Sequence, residues 1–461
     1  MSRAFDAIII GAGQAGPPLA GRLTAVGMTV ALIERHLVGG TCVNTGCMPT
    51  KTLVASAYAA HLARRAADFG VQVGPVGIDM KVVAARAHAV TLKARTNNEQ
   101  WLAAMPRLTF LRGHARFTAP GTIAVDGEEL TAPRIFVNVG GRASVPEMPG
   151  VDDVPWLDNT SMVALDALPR HLVVVGGSYI GLEFAQMYRR FGAQVTIVER
   201  TDRLISREDT DVSAAIREIL EDEGIAVRTG ADCIDFARHE DGIAVSVDCQ
   251  DGPPIVIGSH VLLAVGRRPN TDDLGLDHAG VATDARGYIQ VDDRLQTNVP
   301  GIWALGDCNG RGAFTHTAYN DFEIVAANLL DRENRTLSQR FPGYALYTDP
   351  PLGRAGITEA EAIRSGRNIL VSKRPMTRVG RAIEKGETRG FMKIVADADS
   401  QRILGAAFLG TGGDEAVHGI LDAMSADQPI AALRWAVPIH PTVSELIPTI
   451  LLDLKPLPQE P

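Results

Sequence analysis

The stretch Phe5-Asp6-Ala7-Ile8-Ile9-Ile10-Gly11-Ala12-Gly13-Gln14-Ala15-Gly16 decides how this chain folds. A short apolar, β-rich run enters a Gly-x-Gly-x-x-Gly turn. A helical stretch follows over Leu19–Val26, and a second strand over Thr29–Ile33 ends at Glu34. Strand, glycine turn, helix, strand and acid in that order make a nucleotide-binding βαβ unit. Gly11 permits the tight turn, Gly13 lets backbone approach a pyrophosphate, and Gly16 lets the helix pack on the strand. Glu34 stands 18 residues past Gly16, placed to accept hydrogen bonds from a ribose. Pro17 and Pro18 are tolerated because a first-turn proline gives up an N–H that has no helical partner.

The pattern returns about 160 residues later. His171–Val175 leads into Gly176-Gly177-Ser178-Tyr179-Ile180-Gly181, a helix over Leu182–Phe191 and a strand over Gln194–Val198 that ends at Glu199. Ser178 replaces the middle glycine, and its Cβ narrows the gap to a phosphate. Glu199 would bond a ribose 2′-hydroxyl and repel a 2′-phosphate, which favours NADH. Arg200, Arg203 and Arg207 follow closely and offer a phosphate site instead. Two such units imply two dinucleotides or two halves of one site, and the spacing favours two domains.

Between the first unit and the rest lies Gly39-Gly40-Thr41-Cys42-Val43-Asn44-Thr45-Gly46-Cys47-Met48-Pro49-Thr50-Lys51. Two thiols four residues apart can close a short disulfide, and the glycines let the backbone turn close to a flat ligand. A helix-like stretch from Leu53 to Ala67 follows. A cysteine at a helix N-terminus has its thiolate favoured by free N–H groups and the dipole. Beside a redox cofactor such a pair is a reversible electron store. The alternatives are a metal site or an inert pair, but a structural metal wants four ligands and no other Cys or His lies near in sequence. No metal site is expected.

A long helix over Lys81–Ala104 and strands around Thr122–Val125 and Ile135–Val139 come next, then a strand-rich Ile225–Val265 with a hairpin at Glu240-Asp241-Gly242. Beyond about residue 343 the pattern is α+β. Thr358-Glu359-Ala360-Glu361 starts a helix with a capping box, and Phe391–Val395 and Ile403–Leu409 flank a turn at Asp397–Ser400. The expected architecture is α/β in three modules, the first split in sequence around the second.

The 461 residues, 46% hydrophobic, can build full cores, and a formal charge of −9 argues against a nucleic-acid partner. No apolar run is long enough to span a membrane, and no signal peptide is visible, so a cytoplasmic enzyme is expected. Cys233, Cys249 and Cys308 are isolated and read as structural. His440-Pro441-Thr442-Val443-Ser444-Glu445 is a second candidate site. A histidine near a reacting thiol can shuttle the proton of thiol–disulfide exchange, with Glu445 fixing its tautomer. Nothing local brings it to Cys42.

On these motifs, and on Ala304-Leu305-Gly306-Asp307, the chain resembles the class I pyridine nucleotide–disulfide oxidoreductases, which include glutathione reductase, dihydrolipoamide dehydrogenase and mercuric reductase. The resemblance covers essentially the whole chain. It implies two Rossmann-like domains, for FAD (1–145 and 271–342) and for NADH or NADPH (146–270), with a C-terminal dimerisation domain (343–461). It implies FAD on the first fingerprint with Gly40, Thr41, Gly140, Gly306 and Asp307, Val139-Gly140-Gly141 forming the crossing between domains. NAD(P)H falls to the second, with Gly176, Ser178, Gly181, Glu199, Arg200 and Gly266. Cys47 would face the flavin and Cys42 attack the acceptor. Lys51 and Glu183 would pair near the flavin, Tyr179 gate the nicotinamide pocket, and Arg267 stand behind it. His440 would serve Cys42 of the partner in a homodimer.

Ser178, Tyr347–Leu352 and the C-terminal third are similar to the mercuric-reductase-like branch. Against mercuric reductase itself, the stretch Leu454–Pro461 has no cysteine pair, and His440 stands where that enzyme lacks a proton shuttle. The expected reaction passes electrons from NAD(P)H through FAD and Cys42–Cys47 to a small disulfide. Reduction of Hg²⁺ or Cu²⁺, dihydrolipoamide oxidation and a redox sensor with little turnover are the alternatives.

Overall fold

The structure, a computed structural model, describes residues 2–232, 234–247 and 253–457. Cys233, Cys249 and the tail past Leu457 lie outside the described residues. Five parallel strands lie in the spatial order Ile302–Ala304, Ile135–Val137, Ala7–Ile10, Val30–Glu34 and Leu108–Arg112. A second parallel sheet repeats this layout as Trp156–Leu157, His260–Leu263, His171–Val175, Gln194–Val198 and Ala226–Arg228. Continuous apolar runs build both, and Ile8, Ile9, Val173 and Val174 are wholly buried, as strands covered on both faces require. In each sheet the fingerprint strand lies between the acid-bearing strand and one that arrives much later in the chain. Strand order reverses there, which opens the crevice where such sheets bind ligands.

The fingerprint helices span Gly16–Ala25 and Tyr179–Phe191, each starting about three residues before the apolar pattern suggests. Pro17 and Pro18 fall in the first turn, as expected. The helix expected from Leu53 to Ala67 instead spans Cys47–Arg64. Pro49 suggests a later start, but it occupies the first turn, where it costs no hydrogen bond. The long helix runs Met80–Ala103, capped by Asp79, whose side chain accepts the Lys81 and Val82 N–H groups.

An antiparallel ribbon, Gly141–Ala143 on Arg267–Pro269, joins the loops leaving the two parallel sheets. The expected hairpin forms as Ile234–His239 paired with Gly242–Val247. The C-terminal part is a six-stranded antiparallel sheet ordered Gly343–Leu346, Leu352–Gly356, Arg402–Leu409, Phe391–Asp397, Ile369–Pro375 and Lys455–Pro456. Ile394, Phe408, Ile420 and Ile450 fill the core between it and its helices. The Thr358 capping box is present: its Oγ1 accepts the Glu361 N–H at 3.1 Å, and Glu361 Oε2 accepts the Thr358 N–H at 2.8 Å. The architecture is thus α/β with two Rossmann-like sheets and a C-terminal α+β unit. Among the described residues, no helix is long and apolar enough to cross a membrane.

Candidate active site

The two fingerprints are built alike. Gly11 (φ 104°) and Gly176 (φ 114°) turn the chain in a region that other residues rarely adopt, and a Cβ on either would strike the carbonyl of Asn138 or Ala264, just past the end of the neighbouring strand. Gly16 and Gly181 stand behind the cavity wall rather than in it. A Cβ there would strike the Gly11 or Gly176 carbonyl, so their contribution is helix-on-strand packing. Glu34 Oε2 accepts the Ala12 N–H (2.8 Å) and Oε1 the His36 N–H (2.7 Å). Glu199 repeats this, with Oε2 accepting from Gly177 N–H (2.6 Å) and Oε1 from Thr201 N–H (2.7 Å) and Thr201 Oγ1 (2.8 Å). Ser178 caps its helix with backbone only, leaving its exposed hydroxyl free of any cap bond.

One continuous cavity of about 3040 Å³ reaches both fingerprints and both thiols. Gly11, Gly13, Glu34, Gly40, Thr41, Cys42, Cys47, Lys51, Gly140, Gly306 and Asp307 line it, as do Gly176, Ser178, Tyr179, Glu183, Glu199, Arg200, Gly266 and Arg267. Sequence reasoning missed the group that shapes the Gly306-Asp307 turn. Asp321, 2% exposed, accepts the Gly306 N–H at 2.8 Å and is paired with Arg340 at 2.8 Å. Asp307 has its carboxyl pushed up by burial, and Arg267 at 3.1 Å opposes that. Arg267 also donates to the Gly141 carbonyl at 2.6 Å, tying the ribbon to the Asp307 turn.

The thiols are free and hydrogen-bonded to each other. Cys42 sits in a short helix, Gly40–Asn44, and Cys47 is the first residue of the Cys47–Arg64 helix, where unpaired N–H groups and the dipole favour negative charge. The Cys47 thiol is lowered from 9.0 to about 6, first by the Cys42 hydrogen bond, then against burial by Thr315 (Sγ to Oγ1 3.3 Å) and Lys51. Cys42 moves the other way because it donates to Cys47 and is partly buried. The pair therefore holds one thiolate at Cys47 and one thiol at Cys42. Lys51 Nζ lies 2.7 Å from Glu183, which is 5% exposed, and over the Tyr347 ring at 4.6 Å. The Tyr347 N–H completes the Glu183 carboxylate at 3.0 Å.

Tyr179 begins its helix, and its ring meets Tyr344 edge-on (5.4 Å between centroids) while Tyr344 stacks on Phe314, and Phe314 on His316. The Tyr344 hydroxyl donates to the buried Glu208, which faces the buried Arg354 at 3.8 Å. No local motif announces Tyr344, Glu208 or Thr315, whose partners lie more than a hundred residues away.

His440 and Glu445 are joined as expected, Nδ1 to Oε2 at 2.8 Å, but neither lines the cavity. The His440 side chain is 80% exposed, on an arm where Trp435, Val437 and Ile439 are exposed as well. Cys308 is buried and donates to the Leu305 and Val137 carbonyls. Among the described residues no group of three or more His, Cys, Asp or Glu is placed to hold a metal.

Comparison with known proteins bears on this geometry. Residues 5–321 match the family profile described as pyridine nucleotide-disulphide oxidoreductase, and 343–450 match its dimerisation domain. The chain is similar to the probable pyridine nucleotide-disulfide oxidoreductase RclA of Escherichia coli (strain K12), 36% identical over 450 residues that cover 96% of this chain and 97% of the relative. A dihydrolipoyl dehydrogenase of Thermus scotoductus is 33% identical (96% of each chain), and a mercuric reductase of Streptomyces lividans 34% (96% and 94%). Among solved structures, the Cu(II) complex of the HOCl-induced flavoprotein disulfide reductase RclA from Escherichia coli superposes with a TM-score of 0.89 at 34% identity, covering 99% of this chain and all of that one.

Proposed function

The chain belongs to the class I pyridine nucleotide–disulfide oxidoreductases, enzymes that use FAD and NAD(P)H, and from that premise we propose that it reduces a small disulfide through Cys42 and Cys47. In this reading residues 1–145 and 271–342 carry FAD, 146–270 carry NAD(P)H, and 343–461 form the dimer. The residues fit a flavin dinucleotide. A Cβ on Gly40 would press on the Gly13 Cα at 3.0 Å, so the cradle stays open only as glycine, and Glu34 is held ready for a ribose. Gly11, Gly13, Glu34, Gly40 and Asp307 would hold FAD, which when bound would supply two-electron transfer between NAD(P)H and the Cys42–Cys47 pair.

The single observation that carries the reading is the polarised thiol pair at the helix N-terminus, facing the cavity beside Lys51–Glu183. Cys42 gives its proton to the His440 ring of the partner subunit, attacks one sulfur of the acceptor disulfide as thiolate and expels the first thiolate. Cys47 then attacks the Cys42 sulfur, releases the second thiolate and re-forms the intramolecular disulfide. Each leaving thiolate needs a proton, which His440 of the partner subunit supplies from Nε2 while Glu445 holds Nδ1. The sum is NAD(P)H, one proton and a disulfide giving NAD(P)⁺ and two thiols. The dimerisation domain and the exposed apolar arm beside His440 support a homodimer.

A second reading, reduction of a soft metal ion at the two thiolates, is favoured by the copper complex of RclA and by the mercuric reductases among the relatives. Steady-state NAD(P)H oxidation by the purified flavoprotein tests both against oxidised glutathione, lipoamide, other small disulfides, Hg²⁺ and Cu²⁺. Turnover of a disulfide, lost in Cys42→Ser, is expected. Rapid metal-ion reduction with no disulfide turned over would reverse the ranking.

A further inference from the structure

We infer that the stacked rings of Tyr344, Phe314 and His316 are a positioning device for Thr315, through which the C-terminal domain holds a hydrogen bond on the electron-storing thiol; the inference rests on the thiol reading above and deepens it. Thr315 has little of its own to fix it. The run that delivers it, Gly310-Arg311-Gly312-Ala313, contains two glycines, and Arg311 and Ala313 are exposed. Thr315 then opens the Thr315–Leu330 helix with its Oγ1 3.3 Å from Cys47 Sγ. The residues on either side of it are the ones held. The Phe314 ring stacks nearly parallel on Tyr344 (5.4 Å between centroids, 11°) and on His316 (5.4 Å, 12°). His316 is tied to the same place, because its Nε2 donates to the Gly343 carbonyl at 2.7 Å, on the edge strand of the C-terminal sheet.

Tyr344 is pinned in turn. It lies within the part of the chain that matches the dimerisation domain, and Arg354 is its cross-strand partner. Side chains paired in this way stand on one face of a sheet, and here both reach Glu208. The Tyr344 hydroxyl donates to that carboxylate, and Arg354 lies 3.8 Å from it. Glu208 is 2% exposed, and its Oε2 has no hydrogen-bond partner among the described residues. Swinging the Tyr344 ring away would therefore strand a buried carboxylate, which makes the ring a fixed support rather than a movable one. Cys42, Lys51 and Glu183 are the other titratable groups that act on Cys47, and none of them belongs to the stack. The support reaches the thiol through Thr315.

The test follows the Cys47 thiolate from pH 4.5 to 9.5 in flavin-loaded Cys42→Ser protein by its charge-transfer absorbance. The rate of Cys47 alkylation by iodoacetamide is a second readout that needs no flavin. Thr315→Val should lower the thiolate-to-thiol ratio at pH 6 by roughly threefold, less than the loss of the whole Cys42 donor. Tyr344→Leu should lower it by roughly two- to threefold, and Tyr344→Phe, which keeps the ring, by less. Tyr344→Leu added to Thr315→Val should change nothing further, because both act through one contact. His316→Ala, at an exposed position, should move the ratio in the same direction and serves as the test if Tyr344→Leu does not fold. A ratio unmoved by Tyr344→Leu and His316→Ala, or a double variant in which the two effects add, would overturn the inference and leave the disulfide chemistry standing. Cys42→Ser protein that binds flavin yet shows no charge-transfer band at any pH would overturn the reading beneath it.

Discussion

Replacing Cys42 tests whether Cys47 is a poised thiolate. With a thiol at 9.0, roughly one Cys47 in a hundred is ionised at pH 7; at about 6, roughly nine in ten are. The largest contribution is the Cys42 hydrogen bond, ahead of Thr315 and Lys51. A hydrogen bond to a charged group is worth about 1.5–3 kcal/mol, and a pH unit about 1.36 kcal/mol. A sulfur donor belongs at the lower end, so Cys42→Ala should raise the Cys47 midpoint by about one pH unit. Cys42→Ser keeps a donor and should hold it near 6, while Thr315→Val should move it less than Cys42→Ala. The assay is the long-wavelength charge-transfer absorbance, which needs the Cys47 thiolate. It is followed from pH 4.5 to 9.5 in the reduced wild type and, without reductant, in the Cys42 variants. Because the folded value is depressed, the thiolate's contribution to stability is fully present above 9, falls through the interval and is gone below about 6. Survival of the band in Cys47→Ser, or a midpoint at 8.5 or higher in every form, would refute the reasoning.

Three further outcomes follow from the same geometry. His440→Ala should lower disulfide turnover by about two to four orders of magnitude and affect metal-ion reduction far less, as steady-state rates will show. Light scattering should find a homodimer, and an active monomer would contradict the exchanged histidine. Lys393, 1% exposed among Asp209, Asp211 and Glu359 at 2.8–2.9 Å, should cost about 3–5 kcal/mol as Lys393→Met in chemical denaturation, since three carboxylates lose their shared cation.

Sequence carries the fingerprints well because glycine, strand and acid are set by local backbone needs, so Ile8, Gly11, Glu34 and their counterparts Val173, Gly176, Glu199 stand where spacing puts them. It misplaces the start of the Cys47 helix because Pro49 imitates a break. It cannot show the contacts that tune the chemistry. Thr315 reaches Cys47 across 268 positions, and Tyr344 reaches Glu208 across 136. Asp321, buried behind the Gly306-Asp307 turn, looks in sequence like any helical aspartate. Such residues are recruited by tertiary packing, which leaves no period or motif behind. The His440–Glu445 pair is the intermediate case: five residues apart, it is legible as a pair, yet its site is not.

That pair also bears on which acceptor the enzyme serves. A proton shuttle far from its thiols is useless within one chain, and a chain gains nothing by exposing Val437 at 96% and Trp435 at 77% beside it unless another surface covers them. In the proposed homodimer, covering the arm and delivering the histidine would be one event, association through the C-terminal domain. A soft ion bound by two thiolates needs electrons and no proton at sulfur, so a metal-ion reductase would have no use for the Glu445-held ring. Disulfide exchange needs that proton at every leaving thiolate. The pairing of His440 with Glu445 on an exposed apolar arm therefore argues that proton transfer at sulfur is part of the reaction.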